Sequence, residues 1–362
     1  MTTEQALRRF GPQFVAKQRH RYGKRPPENR MLSYDLAVLD EYEPWRIWLD
    51  KQLGLLPAAA AETFAANLWR DQNFWPDVIE LAVGAALRRQ GFSVEFERRW
   101  GKLTPDWTVV GEDGAPVALV EVLTHSPQQG TFAKMKAWHA LVERLKQIPV
   151  PVVLTVAGDS SRPLAAPDAR TAKRIAQDLR RALLSPLHRS VFTSQGYTFL
   201  LQADPRTGQS MRPPGMSTIL IPPSSMAGVV SARSVTAGIE KKISKYRALA
   251  KEAGLPLIVA AGAHKFTGLQ VQQLDDLLNG APTLSVQFNF GDPFIHHPVE
   301  VDPSNPPSWT MPPELAGVLW VNNDYPFTTA WLPNPTAAAP APPALLAQEA
   351  DTSQSPGLPG RC

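Results

Sequence analysis

Residues 74–124 run FWPDVIELAVGAALRRQGFSVEFERRWGKLTPDWTVVGEDGAPVALVEVLT. Near the end of this stretch, Val117-Ala118-Leu119-Val120-Glu121-Val122-Leu123 is apolar on both faces, the composition of a strand covered on both sides. Side chains alternate along a strand, so Glu121 points with Val117, Leu119 and Leu123. A bare carboxylate there is costly, so it must be neutral, paired or bound to a cation. Upstream of the turn signal Gly111-Glu112-Asp113-Gly114, Pro105-Asp106 opens a second apolar run, Asp106 to Val110. Pro76 and Asp77 mark a helix start. On that helix Glu80 shares a face with Val83, Gly84 and Leu87. Three acids are thus directed toward an interior, and a hard divalent cation is the simplest reason. Taken singly, Asp106 also suits a strand-edge or capping position, and Glu121 a partner for a buried arginine.

The order helix acid, strand, Pro-Asp strand, turn, strand with Glu resembles the PD-(D/E)XK nuclease superfamily, with its restriction-endonuclease-like fold. The resemblance implies that Asp106 and Glu121 hold Mg²⁺ or Mn²⁺. It adds the Val122 main-chain carbonyl as a further ligand and Glu80 as an accessory acid. It also implies nucleic acid, DNA first, as the substrate. The chain departs from the family in one respect. The lysine expected two residues after the glutamate is replaced by Leu123.

In such an enzyme a lysine orients the attacking water and adds positive charge, neither of which Leu123 can do. Another element must supply it. Lys242 and Tyr246 lie at i and i+4, hence on one helix face. The pair is similar to the Gln-x-x-x-Tyr pair of RecB-type nucleases, with lysine for glutamine. Lys242 is therefore the expected positioning cation. Lys134 and Lys136, on the helix after the Glu121 strand, and Lys102, before the Pro-Asp strand, are the other sources. The chain is also similar over most of its length to a group of uncharacterised bacterial proteins. Lys242-Ile243-Ser244-Lys245-Tyr246 and Asn334-Pro335-Thr336-Ala337 carry that likeness.

With 362 residues and 43% apolar content the chain can build two domains or one decorated domain. Thirty-seven basic against 33 acidic residues give a formal net charge of +4, a mild lean toward polyanions. The single cysteine, Cys362, excludes an intrachain disulfide and a cysteine-ligated zinc site. No secretory pattern opens the chain and no apolar run nears the ~20 residues of a membrane span, so a soluble cytoplasmic protein without membrane contact is expected.

Residues 1–73 read as a helical N-terminal region. Lys17, Arg19, Arg21, Lys24, Arg25 and Arg30 crowd one segment with His20 and Tyr22. Such a segment can hold a phosphate backbone, and equally can be a solvated arm. Arg19, Arg21, Lys24 and Arg25, with Lys245 and Tyr246, are the expected nucleic-acid contacts. Leu36 to Leu55 and Ala58 to Arg70 read as two amphipathic helices. Phe92 to Phe96 reads as the first core strand, after a helix that stops at Gly91. Two helix–strand units follow, 131–156 and 234–262, and both suit the same slot in the sheet. Between them, Asp168 to Leu184 reads as a helix with a basic outer face of Arg170, Lys173, Arg174, Arg180 and Arg181, before strands at Tyr197–Leu201 and Ser217–Ile221. From Thr336 onward the Ala/Pro/Ser/Gln composition cannot build a core, and a disordered tail is expected.

The expected architecture is an α/β protein with a restriction-endonuclease-like central mixed sheet flanked by helices. The helical region spans 1–73, the domain with insertions 74–335 and the tail 336–362. The expected activity is metal-dependent phosphodiester hydrolysis by a DNA endonuclease or exonuclease acting in defence or repair, compatible with a homodimer. Leu123 motivates the alternative, a catalytically inactive member of the fold that binds nucleic acid or a protein partner. A third reading takes the acids as merely paired and the Pro-rich tail as a partner-binding segment. His296-His297 with Glu300 and Asp302 imitates a metal cluster, but adjacent histidines in an extended segment point to opposite faces. His125, close after Glu121, suits a place facing the phosphate and, more readily, a loop histidine with no such role. Gly158-Asp159-Ser160-Ser161 is a turn. No Gly-x-Ser-x-Gly elbow or phosphate-binding glycine loop is present.

Overall fold

A computed structural model of the chain describes residues 9–25, 30–31, 33–126, 129–157, 164–185, 190–203, 218–221, 232–263, 269–280, 283–285, 300–302 and 307–343. The chain divides into two compact units. One comprises Met1–Asp77, Ser126–Val230 and Phe266–Gly268, the other Val78–His125, Ser231–Lys265 and Leu269–Cys362. It is a mixed α/β protein, and no helix among the described residues is long and apolar enough to cross a membrane.

The first unit opens with α1 (Pro12–Tyr22), started by Pro12, whose missing N–H costs nothing in the first helical turn. The single helix expected over Leu36–Leu55 is instead α2 (Tyr34–Val38), a 3₁₀ turn over Asp40–Tyr42, and α3 (Glu43–Leu53). Pro44 explains the break, because proline belongs in the first turn of a helix and not in its interior. Then come α4 (Ala58–Asn67) and α5 (Asp71–Arg89). α5 begins one turn before the Pro76-Asp77 start read from sequence, with Pro76 inside it. The added turn buries Phe74 and Trp75, and Phe74 packs on Trp45 at 5.7 Å between ring centroids.

In the second unit α5 ends before Gly91, whose φ of +88° suits a residue without Cβ. Strands β1 (Ser93–Phe96), β2 (Trp107–Val110) and β3 (Pro116–His125) follow as an antiparallel meander. The turn between β2 and β3 closes through Gly111 N to Ala115 O (2.8 Å) and Ala115 N to Asp113 Oδ1 (2.9 Å).

The chain then returns to the first unit for α6 (Gln129–Leu145), β4 (Val152–Ala157), α7 (Ala169–Leu183), β5 (Val191–Ser194), β6 (Tyr197–Ala203) and β7 (Ile219–Ile221). These strands form their own sheet in the order β5-β6-β4-β7. Asp168 caps α7 through Thr171 N (2.7 Å), and Ile175, Leu179 and Leu183 enter a core with Trp138, Leu154 and Phe199. The basic residues of α7 are exposed on the opposite side.

Back in the second unit, α8 (Ala232–Ala253) leads into β8 (Leu257–Ala263), then α9 (Val271–Asn279), β9 (Thr283–Ser285), β10 (Glu300–Asp302), β11 (Leu315–Val321) and β12 (Thr329–Pro333). The central sheet has six strands in the order β1-β2-β3-β8-β11-β12. β8 runs parallel to both β3 and β11, and β12 closes the edge antiparallel. Of the two helix–strand units that suit the slot beside β3, the later one takes it. All seven residues of β8 are buried, as a strand covered on both faces requires, whereas β4 alternates between buried and half-buried positions.

Opposite faces of this sheet carry different helices. A Cβ on Gly84 of α5 would meet the Trp107 ring at 2.5 Å, and one on Gly262 would meet Ile79 at 2.7 Å. A Cβ on Gly238 of α8 would meet Leu123 at 2.8 Å. Val120, paired with Trp107, and Leu123 are an odd number of residues apart on β3, so α5 and α8 cover opposite faces.

Residues 336–343, the start of the stretch read as a tail, tie back to this sheet. Asn334 donates to Pro312 O (2.9 Å) and Leu315 O (2.7 Å) and accepts from Thr336 N and Oγ1, while Ala338 N reaches Pro313 O at 2.7 Å. The Asn-Pro-Thr-Ala element is therefore a structural lock. Residues 344–362 lie outside the described residues.

Candidate functional site

After a register shift between Val109 and Val110, β2 pairs with β3 as far as Trp107 opposite Val120. One step beyond, where the strands part, side chains replace the ladder. Asp106 N donates to Glu121 Oε1 at 3.2 Å, and Val122 N donates to Asp106 Oδ2 at 2.6 Å. The two carboxylates are thus held by each other's strands. In a strand the N–H and C=O of one residue point to the same neighbour, so the Val122 carbonyl also faces the Asp106 side.

Leu123 packs against Gly238, and that close approach brings α8 down onto β3. One turn along the helix, Lys242 Nζ lies 2.7 Å from Glu121 Oε2 and 3.6 Å from Asp106 Oδ2. Four residues further, the Tyr246 hydroxyl donates to Thr104 O at 3.0 Å. Tyr246 thereby fixes the segment that delivers Pro105-Asp106. Tyr246 is 1% exposed, so its ring belongs to the core and offers no surface to a nucleic acid. Lys245 is exposed, with Nζ 4.6 Å from the centre of the Tyr246 ring.

Glu121 is fully buried, whereas the Asp106 and Lys242 side chains keep 22% and 27% exposure and form the solvent-facing side of the cluster. Burial, then the Asp106 charge, push the Glu121 carboxyl above its ordinary range, against the pull of Lys242. Burial works against the Lys242 charge, but Asp106 and Glu121 outweigh it and hold the ammonium protonated above its ordinary range. Burial and the same two acids keep the Tyr246 phenol neutral. Two carboxylates against one ammonium leave an excess negative charge when all are ionised, which favours a further cation or a shared proton.

Glu80 takes a different place. Its carbonyl accepts from Trp107 Nε1 at 3.1 Å, and its helix covers the sheet face opposite α8. Among the described residues, no further acid, histidine or cysteine joins Asp106 and Glu121 in a three-ligand group with mutual separations within 4.8 Å. An acid not singled out from sequence is bonded to the Asp106 main chain. Glu97, at a φ of +46°, donates its N–H to Asp106 O at 3.0 Å and adds its charge to the field at Tyr246. Its signal in the sequence is register: one step past Phe96–Trp107, Glu97 falls opposite Asp106.

Lys102 is exposed in the turn before β2. In the first unit Lys134 is exposed and Lys136 pairs with Asp71. His125, at the end of β3, is half-buried and held below the ordinary imidazole range by burial. In the basic N-terminal segment Arg19 is engaged internally, with Val38 O at 2.6 Å and Asp40 Oδ1 at 3.2 Å. Arg21 and Arg25 stand over the Tyr22 ring at 5.1 and 4.9 Å, and Lys24 is exposed. The histidines 296 and 297 and the 158–161 turn lie outside the described residues.

Comparison with protein-family models, with curated proteins and with solved structures finds no match.

Proposed function

We propose that this protein hydrolyses phosphodiester bonds of nucleic acid, DNA first, with Mg²⁺ or Mn²⁺, on a restriction-endonuclease-like core. The observation that carries the reading is Lys242 reaching both Glu121 and Asp106 from α8, the place of the lysine that Leu123 cannot supply. The sheet order supports it: helix α5, meander β1-β2-β3, helix α8, then β8 parallel to β3.

The donor set fits a hard ion. Asp106, Glu121 and the Val122 carbonyl offer only oxygens, and the Lys242 ammonium shows that a positive charge is stable between the two carboxylates. A bound divalent ion would acidify a coordinated water and offset charge on the phosphate. The chain's own groups do the rest. Asp106, at the exposed side, would hold the ion that meets the substrate phosphate. Lys242 stays protonated and donates to the attacking water or a phosphate oxygen. Tyr246, neutral, keeps Thr104 and therefore Asp106 in register. Glu97 borders the same strand step through its main chain. Lys245, exposed on the same helix, is the expected contact for the substrate backbone.

One observation favours a second reading. Glu121 is fully buried and both its oxygens are engaged, by Asp106 N and Lys242, as in a metal-free member of the fold that only binds nucleic acid or a partner. Purified protein incubated with plasmid and single-stranded DNA separates the two. Cleavage that needs Mg²⁺ or Mn²⁺ and is lost in Asp106→Ala supports hydrolysis. Equal inertness of both proteins, with salt-dependent DNA binding, supports the second reading.

A further inference from the structure

The first unit carries a separate group of metal-ligating side chains. Asp35 of α2 stands with His139 and Glu143 of α6, and one potential ligand atom from each lies within 4.8 Å of the others. His139 and Glu143 are four residues apart on one helix, so they project to the same spot. They flank the buried face that carries Trp138, Leu141 and Leu145. All three residues are half-buried. Two carboxylates meeting away from water repel each other, and a cation relieves that repulsion.

We propose that Asp35, His139 and Glu143 bind a divalent transition-metal ion of the zinc type, which clips α2 to α6 within the first unit. The donors are one imidazole nitrogen and two carboxylate oxygens, a mixed set that suits Zn²⁺, Co²⁺ or Mn²⁺ better than Mg²⁺. Around a tetrahedral ion at ~2.1 Å such donors stand ~3.4 Å apart, so the observed grouping closes by side-chain rotation. Three protein ligands leave one position for water.

The charged surroundings fit this use. Lys146 Nζ pairs with Glu143 Oε1 at 2.7 Å and supplies positive charge to the group. Its side chain is 47% exposed, so it can swing into water when an ion takes its place. The ion would join residues 104 positions apart in sequence (139 minus 35), and binding that requires the folded arrangement stabilises it by mass action.

The test is Co²⁺ binding to the full-length Asp106→Ala protein, which removes a ligand of the site proposed above. About one equivalent of Co²⁺ with visible d–d absorption is expected. His139→Ala in that background is expected to weaken binding at least tenfold while retaining the far-ultraviolet circular dichroism of the parent. In an otherwise wild-type chain His139→Ala is expected to leave DNA cleavage unchanged, so the two proposals fail independently. Unchanged Co²⁺ affinity and stoichiometry in the folded His139→Ala protein overturns the assignment. Should that variant not fold, X-ray absorption of the Co²⁺-loaded parent decides: a shell with one imidazole is expected, and an all-oxygen shell overturns the assignment.

Discussion

Leu123 of β3 packs against Gly238 of α8 so closely that a methyl group on Gly238 would lie 2.8 Å from Leu123 Cδ2. This contact sets the distance between helix and strand one turn before Lys242 meets Glu121. Alanine in place of glycine inside a helix ordinarily adds about 0.5–1 kcal/mol of stability. At position 238 the sign should reverse, with Gly238→Ala costing about 1 kcal/mol through overpacking. Combining it with Leu123→Ala should recover that loss relative to Leu123→Ala alone. Urea denaturation of the four proteins of the cycle measures the coupling, and additive effects would show that the contact does not set the spacing.

Removal of the Lys242 ammonium leaves Glu121 buried without its main counter-charge. Lys242→Met is expected to cost about 3 kcal/mol, typical of breaking a buried pair from one side. The double variant Lys242→Met/Glu121→Leu should regain much of this, because neither charge is then stranded. A denaturation midpoint for Lys242→Met equal to wild type would show that the pair contributes little.

Asp77 gives a pH dependence of its own. Its Oδ2 is buried with no hydrogen-bond partner among the described residues, and burial pushes its carboxyl up to about 7 from 3.8. Between those values the folded protein keeps a proton that the unfolded chain has released. Stability therefore falls as pH rises through that window, and the penalty is complete above about 7. Asp77→Asn should accordingly be more stable than wild type at pH 8, with the difference gone near pH 4. The comparison of chemical denaturation midpoints at the two pH values checks this, and a pH-independent difference would contradict it.

What could be read from sequence follows from where the physical signal is local. Glu121 stands out because a carboxylate inside an apolar run needs a partner, and Lys242 because i, i+4 spacing puts it on one face with Tyr246. Tyr246 shows the limit. Its partner is the Thr104 carbonyl, 142 residues away, and no local pattern says that the ring is core and not surface. Glu80 is half-buried on the face it shares with the buried Val83, Gly84 and Leu87, but helical periodicity does not say which sheet face the helix covers. The choice between the helix–strand units leading to β4 and β8 rested on a difference visible in the residues themselves: β8 has no polar side chain, while β4 carries Thr155. The Pro44 break and the Asn334 lock were hidden by neighbouring apolar or Pro-rich composition. The grouping of Asp35 with His139 and Glu143 has no sequence motif at all.

In the proposed phosphodiesterase site α8, not β3, supplies the cation. The most direct measurement is the rate of Mn²⁺-dependent plasmid nicking by folded Lys242→Met relative to wild type. A wild-type rate that falls by about a hundredfold or more in the variant is the predicted result, the loss typical of one charge-stabilising group. Equal rates in the two proteins, or no metal-dependent nicking by wild type, would contradict it.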